Sequence, residues 1–178
     1  MKKWKLKIQW KLEIVNWKLS NMYNKNYQTG FSVKRVVRSF RDLEVYQKTL
    51  ACSVLVVKDI IPSLQKLKFP FVVGMTDCSM SIPLYIAEGH SIRFGDHKRG
   101  LALLELAMAG CNKMIVYLEQ SQGIYRPSAE VALPSGRRSR LPALDHELVD
   151  DLIRRYAEVR TKIFRLEKSW EKWYEPKK

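Results

Sequence analysis

Two hydrophobic rhythms divide the chain. Between residues 4 and 14 apolar and polar positions alternate strictly, with Trp4, Leu6, Ile8, Trp10, Leu12 and Ile14 separated by lysines, Gln9 and Glu13. A period of two is the signature of a half-buried strand, because successive side chains of a strand point to opposite faces. The short unit Trp4-Lys5-Leu6-Lys7-Ile8 recurs as Trp10-Lys11-Leu12-Glu13-Ile14 and again as Trp17-Lys18-Leu19, with the phase slipping at Val15-Asn16. From Ser39 the spacing changes to three and four, which places apolar residues on one side of a helix.

That second rhythm predicts four helices. Ser39 followed by Asp42 is an N-cap with an acidic residue three positions on, and Leu43, Tyr46, Leu50, Val54, Val57 and Ile61 form a stripe that Pro62 should terminate. After a connection over residues 62–72, a second helix is expected from about Gly74 to Ile92 with Pro83 inside it. Gly95-Asp96 supplies a turn and a cap for a third helix from Asp96 to Gln122, whose stripe is Leu101, Leu104, Met108, Cys111, Ile115 and Leu118. Gly123 occupies the place of a left-handed C-terminal residue. A loop over 124–142 with three prolines precedes a fourth helix from Ala143 to Trp173, carrying Leu144, Leu148, Leu152, Tyr156, Val159, Ile163, Leu166 and Trp170. Four such amphipathic helices describe an all-α, antiparallel up-down four-helix bundle over residues 39–178, preceded by a basic, aromatic extension and linker over 1–38 of β or disordered character.

Charge adds a direction. The 178 residues carry 32 Lys and Arg against 18 Asp and Glu, a net +14, a surplus that suits polyanionic partners. Most of it lies early: residues 1–38 hold 10 basic and 1 acidic side chain, leaving 22 against 17 for residues 39–178. Three readings fit the alternating segment: a basic-aromatic arm for nucleic acid, a segment lying on a membrane surface, or an upstream stretch with Met22 as the true start. Lys5, Lys7 and Lys11 interrupt any signal-peptide core, and the apolar run from Leu101 to Ala109 is too short to span a bilayer and carries Glu105. Scattered Cys52, Cys78 and Cys111 are no disulfide framework and fit a reducing cytoplasm.

Particular residues then resemble a family. Ser39-Phe40-Arg41-Asp42-Leu43-Glu44-Val45-Tyr46-Gln47-Lys48, Ser81-Ile82-Pro83 followed by Ile86-Ala87-Glu88-Gly89, and Leu103-Leu104-Glu105-Leu106-Ala107 through Gly123-Ile124 are similar to the bacterial four-helix bundle proteins encoded within intervening sequences of large-subunit ribosomal RNA genes. The chain departs from that pattern at Leu84 and Tyr85, at Asp77-Cys78, and in its longer loop over 124–142. The resemblance implies a bundle that assembles as a ring, commonly a pentamer. It also implies, through a related branch, an accessory subunit that contacts a reverse transcriptase and RNA. It implies no catalytic residues and no cofactor, and it makes Pro83, Glu88 and Gly89 a structural motif.

Chemistry-bearing residues fall into line with a binding role. Glu88 and His90 are two apart and do not share a helix face, so Glu88 is expected to bond backbone freed near Pro83 and Gly89 or to meet a neighbouring subunit. No Glu-x-x-His occurs for a di-iron site, and no Gly-x-Ser-x-Gly for a nucleophile. Cations gather in three places: Arg93, Lys98 and Arg99, with His97, at the turn between helices two and three; Arg137, Arg138 and Arg140 in the 124–142 loop; and Lys162, Arg165, Lys168 and Lys172 late in helix four. Each is a candidate for phosphate contact and equally an ordinary solvated face. The expectation is a cytoplasmic, non-enzymatic, homo-oligomeric RNA- or DNA-associated protein with no membrane span; the alternative is a protein-interaction scaffold.

Overall fold

The N-terminal cap forms as the spacing predicts, but on a shorter element. In the computed structural model, which describes residues 37–125 and 144–174, Ser39 caps a 3-10 turn, Phe40–Asp42. The Arg41 amide donates to Ser39 Oγ at 3.3 Å and the Ser39 amide donates to Asp42 Oδ2 at 2.9 Å. Leu43 is extended, and the first long helix starts at Glu44. The alternating segment over 4–19 and the loop cations Arg137, Arg138 and Arg140 lie outside the described residues.

Helix α1 covers residues 44–66 and corrects the sequence reading twice. It comprises the α-helical Glu44–Leu55, a π turn at Val56–Ile60, and the α-helical Ile61–Lys66. Pro62 does not end the helix; it sits in the first turn after the π segment. A proline has no amide to give the carbonyl four residues back, and its ring crowds that carbonyl. The wider turn, in which the Ile61 amide donates to Val56 O, absorbs the conflict.

The wider turn also moves the stripe. Ile61 and Leu64 are buried, and a straight α-helix ending on them would bury Val57, Val54 and Leu50 above. One extra residue in the turn rotates everything upstream by about 100°. The buried set is instead Val45, Thr49, Cys52, Ser53 and Val56, while Leu50, Val54 and Val57 face solvent.

Helix α1 closes with a Schellman motif. The Phe69 amide donates to Leu64 O at 2.9 Å and the Lys68 amide to Gln65 O at 3.1 Å, with Lys68 left-handed at φ 58°. Phe69 and Leu64 are both buried, supplying the apolar contact of that motif.

Helices α2 (Val72–Ile92), α3 (His97–Tyr125) and α4 (His146–Tyr174) complete an antiparallel up-down bundle. Helix α1 packs against α2 and α4, α2 against α3, and α3 against α4, so the four rods pass round a square. Pro83 lies on the buried face of α2, which runs on to Ile92. Asp96 caps α3, accepting from the Arg99 amide at 3.1 Å, and Asp145 caps α4, accepting from the Leu148 amide at 3.0 Å. Gly123 is no left-handed terminator, because no described residue other than Lys68 has positive φ. The helix continues to Tyr125, whose hydroxyl donates to Leu67 O at 2.9 Å and whose ring meets Phe69 edge-on.

The core is apolar and continuous. Met75, Ile82, Ile86, Leu104, Met114, Leu118, Leu152, Tyr156 and Ile163 are fully buried, each large aliphatic side chain stabilising by about 1.5–3 kcal/mol. Buried Thr49, Ser53, Ser79 and Ser121 donate to carbonyls three or four residues back in their own helices. Cys111 and Cys52, all three thiols being free, are pushed by burial to about 12 and about 11, values that keep them protonated and inert at neutral pH. Helix α3 is long and apolar enough, by length and composition, to cross a bilayer, beyond the short run read from the sequence. In this fold Leu103, Leu104, Ala107, Cys111, Met114 and Leu118 are turned into the bundle.

One stability change follows from the Schellman motif. Lys68→Gly removes the steric cost of a side chain at positive φ and is expected to stabilise the fold by about 1 kcal/mol, read as a higher urea midpoint at unchanged slope.

Candidate nucleic-acid interface

Helices α2 and α3 meet through glycine, and that contact sets the end of the bundle where cations gather. A Cβ at Gly89 would lie 3.0 Å from Gly100 O, and one at Gly100 would lie 3.1 Å from Arg93 Cα. Further along, a Cβ at Gly110 would lie 2.7 Å from Ile82 Cγ1. Gly89 therefore does not loosen α2; the Arg93 amide donates to Gly89 O at 3.1 Å in regular helical fashion. Its role is close approach. Glu88 bonds no backbone near Pro83; its carboxylate reaches across the turn to Arg99 at 3.0 Å.

The turn between the two helices is tight, with the Gly95 and Asp96 amides both donating to Ile92 O at 2.9 and 2.8 Å. It brings Arg93, Lys98 and Arg99 to one end, as the sequence suggested. Arg93 is held most firmly. Its guanidinium lies 4.2 Å from the Phe94 ring centroid and 5.4 Å from that of Trp170, and it donates to His90 O. The Tyr174 hydroxyl donates to Arg93 O at 2.8 Å. Burial lowers the Arg93 pKa, but a guanidinium starts so high that the charge persists. Lys98 is exposed with no ionic partner among the described residues, and exposed Arg99 has Glu88.

The late cations of α4 split. Lys162 is bound to Glu44 and to Glu158, and Lys48 joins both carboxylates, so this is a network between α1 and α4. Burial works to raise Glu44, but hydrogen bonds from Lys162 and Lys48 outweigh it and hold the carboxyl below its usual value. The same lysines lower Glu158. Lys168 pairs with Glu171. Arg165 is the cation left beside Lys162, and both line a shallow cleft of about 350 Å³ with Leu43, Glu44, Val45 and Leu166.

Sequence reasoning missed the aromatic part of this end. His97 stacks on Tyr174 with centroids 3.7 Å apart and planes at 19°, and His90 lies against Trp170. Phe94 and Trp173 stand out at 76% and 83% exposure. Trp170, Trp173 and Tyr174, three aromatic residues within five, were the available signal. Their meeting with the α2–α3 turn depends on the antiparallel fold.

Two further features frame the site. Glu167 is buried in α4 without an ion pair among the described residues, and burial raises its carboxyl. Among the described residues no three or more His, Cys, Asp or Glu converge as metal ligands.

No family model, curated protein or solved structure matches the chain.

Gly89→Ala tests the close approach. The added methyl meets backbone, so α2 and α3 must part, and a loss of about 1–3 kcal/mol in unfolding free energy is expected from urea titration.

Proposed function

We propose that the protein is a non-enzymatic four-helix bundle that binds nucleic acid, RNA foremost, as a homo-oligomer. The observation that carries this reading is the gathering of Arg93, Lys98 and Arg99 at one end, with Arg93 locked by its aromatic neighbours and Lys98 exposed without an ionic partner among the described residues. Fixed cations beside exposed ones suit a row of phosphates, whose counterions are released on binding. Loop residues Arg137, Arg138 and Arg140 and the basic residues 1–36 extend the same preference. The described residues are almost balanced, with 17 Lys and Arg against 15 Asp and Glu, so binding here depends on where the charges sit.

A second surface supports assembly. Glu44 and Lys48 reach α4, so that flank of α1 faces α4, and exposed Leu50, Val54 and Val57 lie on the other flank, beside α2. Cys78 and Gly89 face α3, so exposed Val73, Met80 and Leu84 lie on the flank of α2 beside α1. Together they form an apolar face across two neighbouring helices, the kind of surface that marks an interaction site. A ring of copies, a pentamer by the family resemblance, would multiply weak phosphate contacts through avidity. The same face favours the second reading, a scaffold that docks a protein such as a reverse transcriptase.

Two measurements decide. The full chain should bind RNA at low salt, with log affinity falling linearly against log salt. Lys98→Ala with Arg99→Ala should shallow that slope by about 1.4, at roughly 0.7 per phosphate contact to a single strand. No binding at low salt removes the nucleic-acid reading. Light scattering at several concentrations should give an oligomer that Val54→Glu with Leu84→Glu dissociates. A monomer throughout that binds purified polymerase through this face establishes the scaffold reading instead.

A further inference from the structure

We infer that the bundle end around Arg93 selects unpaired nucleic-acid strands over duplex, by stacking bases on Phe94 and Trp173. The inference rests on the nucleic-acid reading above and adds which form of nucleic acid is taken.

The platform is built from three helices. The α2–α3 turn delivers Arg93 and Phe94, the first turn of α3 delivers His97, and the last turns of α4 deliver Trp170, Trp173 and Tyr174. The inner members are occupied with each other. Arg93 lies between the Phe94 and Trp170 rings, Tyr174 stacks on His97, and the Tyr174 hydroxyl holds Arg93 O at 2.8 Å. The outer members have large free faces: Phe94 is 76% exposed and Trp173 83% exposed. Neither ring contributes a buried face to the core, so the fold alone does not account for two large aromatic surfaces at the same end.

The surrounding charges fit a strand's backbone. Lys98 and Arg99, in the first turn of α3, and Lys172, in the last turn of α4, are exposed at this same end. Of the nearby carboxylates, Asp96 caps α3, Glu88 holds Arg99 and Glu171 holds Lys168, while Glu167 is buried in α4 away from the exposed rings. Cations interleaved with exposed rings are the arrangement that binds single strands, since the phosphates meet the cations and the bases cover the rings. A duplex offers the same phosphates but keeps its base faces stacked inside. The rings therefore add affinity only for an unpaired strand, on the order of 10-fold per ring.

The test uses the full chain and fluorescence anisotropy, with a 5′-labelled mixed-sequence RNA of about 12 nucleotides, alone and annealed to its complement, at one low salt concentration. Phe94→Ala and Trp173→Ala should each lose about ten-fold for the single strand and leave duplex affinity within about two-fold. Phe94→Tyr and Trp173→Phe keep a ring and should restore single-strand binding. Both positions are exposed, and far-ultraviolet circular dichroism confirms that each variant is folded. Lys98→Ala with Arg99→Ala should weaken both forms alike. If the alanine variants bind both forms as the parent does, stacking is wrong while the nucleic-acid reading stands. If they weaken both forms equally, the rings act without strand selection and the inference is overturned. If the parent binds neither form, the nucleic-acid reading falls and takes this inference with it.

Discussion

A proline ring has no hydrogen to give, and the helix around Pro62 is organised by that lack. The carbonyl four residues earlier would be both crowded and unpaired in a regular α-helix. The π turn at Val56–Ile60 resolves this with one extra residue, and the consequence spreads well beyond the turn. Every residue upstream is rotated by one position relative to a straight helix. Val45, Thr49, Cys52 and Val56 go into the core, and Leu50, Val54 and Val57 come out to solvent. A single missing amide thus decides both which side chains fill the bundle and which face solvent.

A second constraint governs the opposite relation, helix to helix. Where α1 is widened, the α2–α3 pair is drawn together, because Gly89, Gly100 and Gly110 remove the side chains that would hold the backbones apart. Close approach at Gly89 and Gly100 keeps the connecting turn short and fixes the exit of Arg93 and Phe94. The C-terminus of α4 then closes over that turn through Trp170 and Tyr174. Cations that are merely near one another in sequence become a shaped end of the bundle by this route.

The fold was largely legible because its main signals are local. The Ser39 and Asp96 caps, the Pro83 position and the stripe of α4 all depend on neighbours within about a turn. The stripe of α3 was read half correctly: Leu104, Cys111 and Leu118 are buried, but Leu103, Ala107 and Met114 take the places expected for Leu101, Met108 and Ile115, which are only partly buried. The misses have non-local causes. The stripe of α1 was misread because the π turn breaks the period on which the reading depends. Gly123 was read as a stop because nothing nearby shows that Tyr125 reaches the α1–α2 connection. Of the candidate site, the cluster at Arg93, Lys98 and Arg99 was found because those residues adjoin in sequence, while Lys162 proved to belong to a network with Glu44 from the far side of the chain. The aromatic half of the same end escaped notice because Phe94 and Trp173 are brought to the same end only by the antiparallel path.

The extra residue in α1 bears on how this segment is matched to any other helix. An ungapped pairing with an unbroken α-helix that is correct from Ile61 onward sets core residues against surface residues everywhere before Val56. A one-residue gap within positions 56–60 restores the correspondence. Resemblance scored along residues 44–55 without that gap compares the wrong faces, so an alignment can look poor over a stretch whose three-dimensional role is the same.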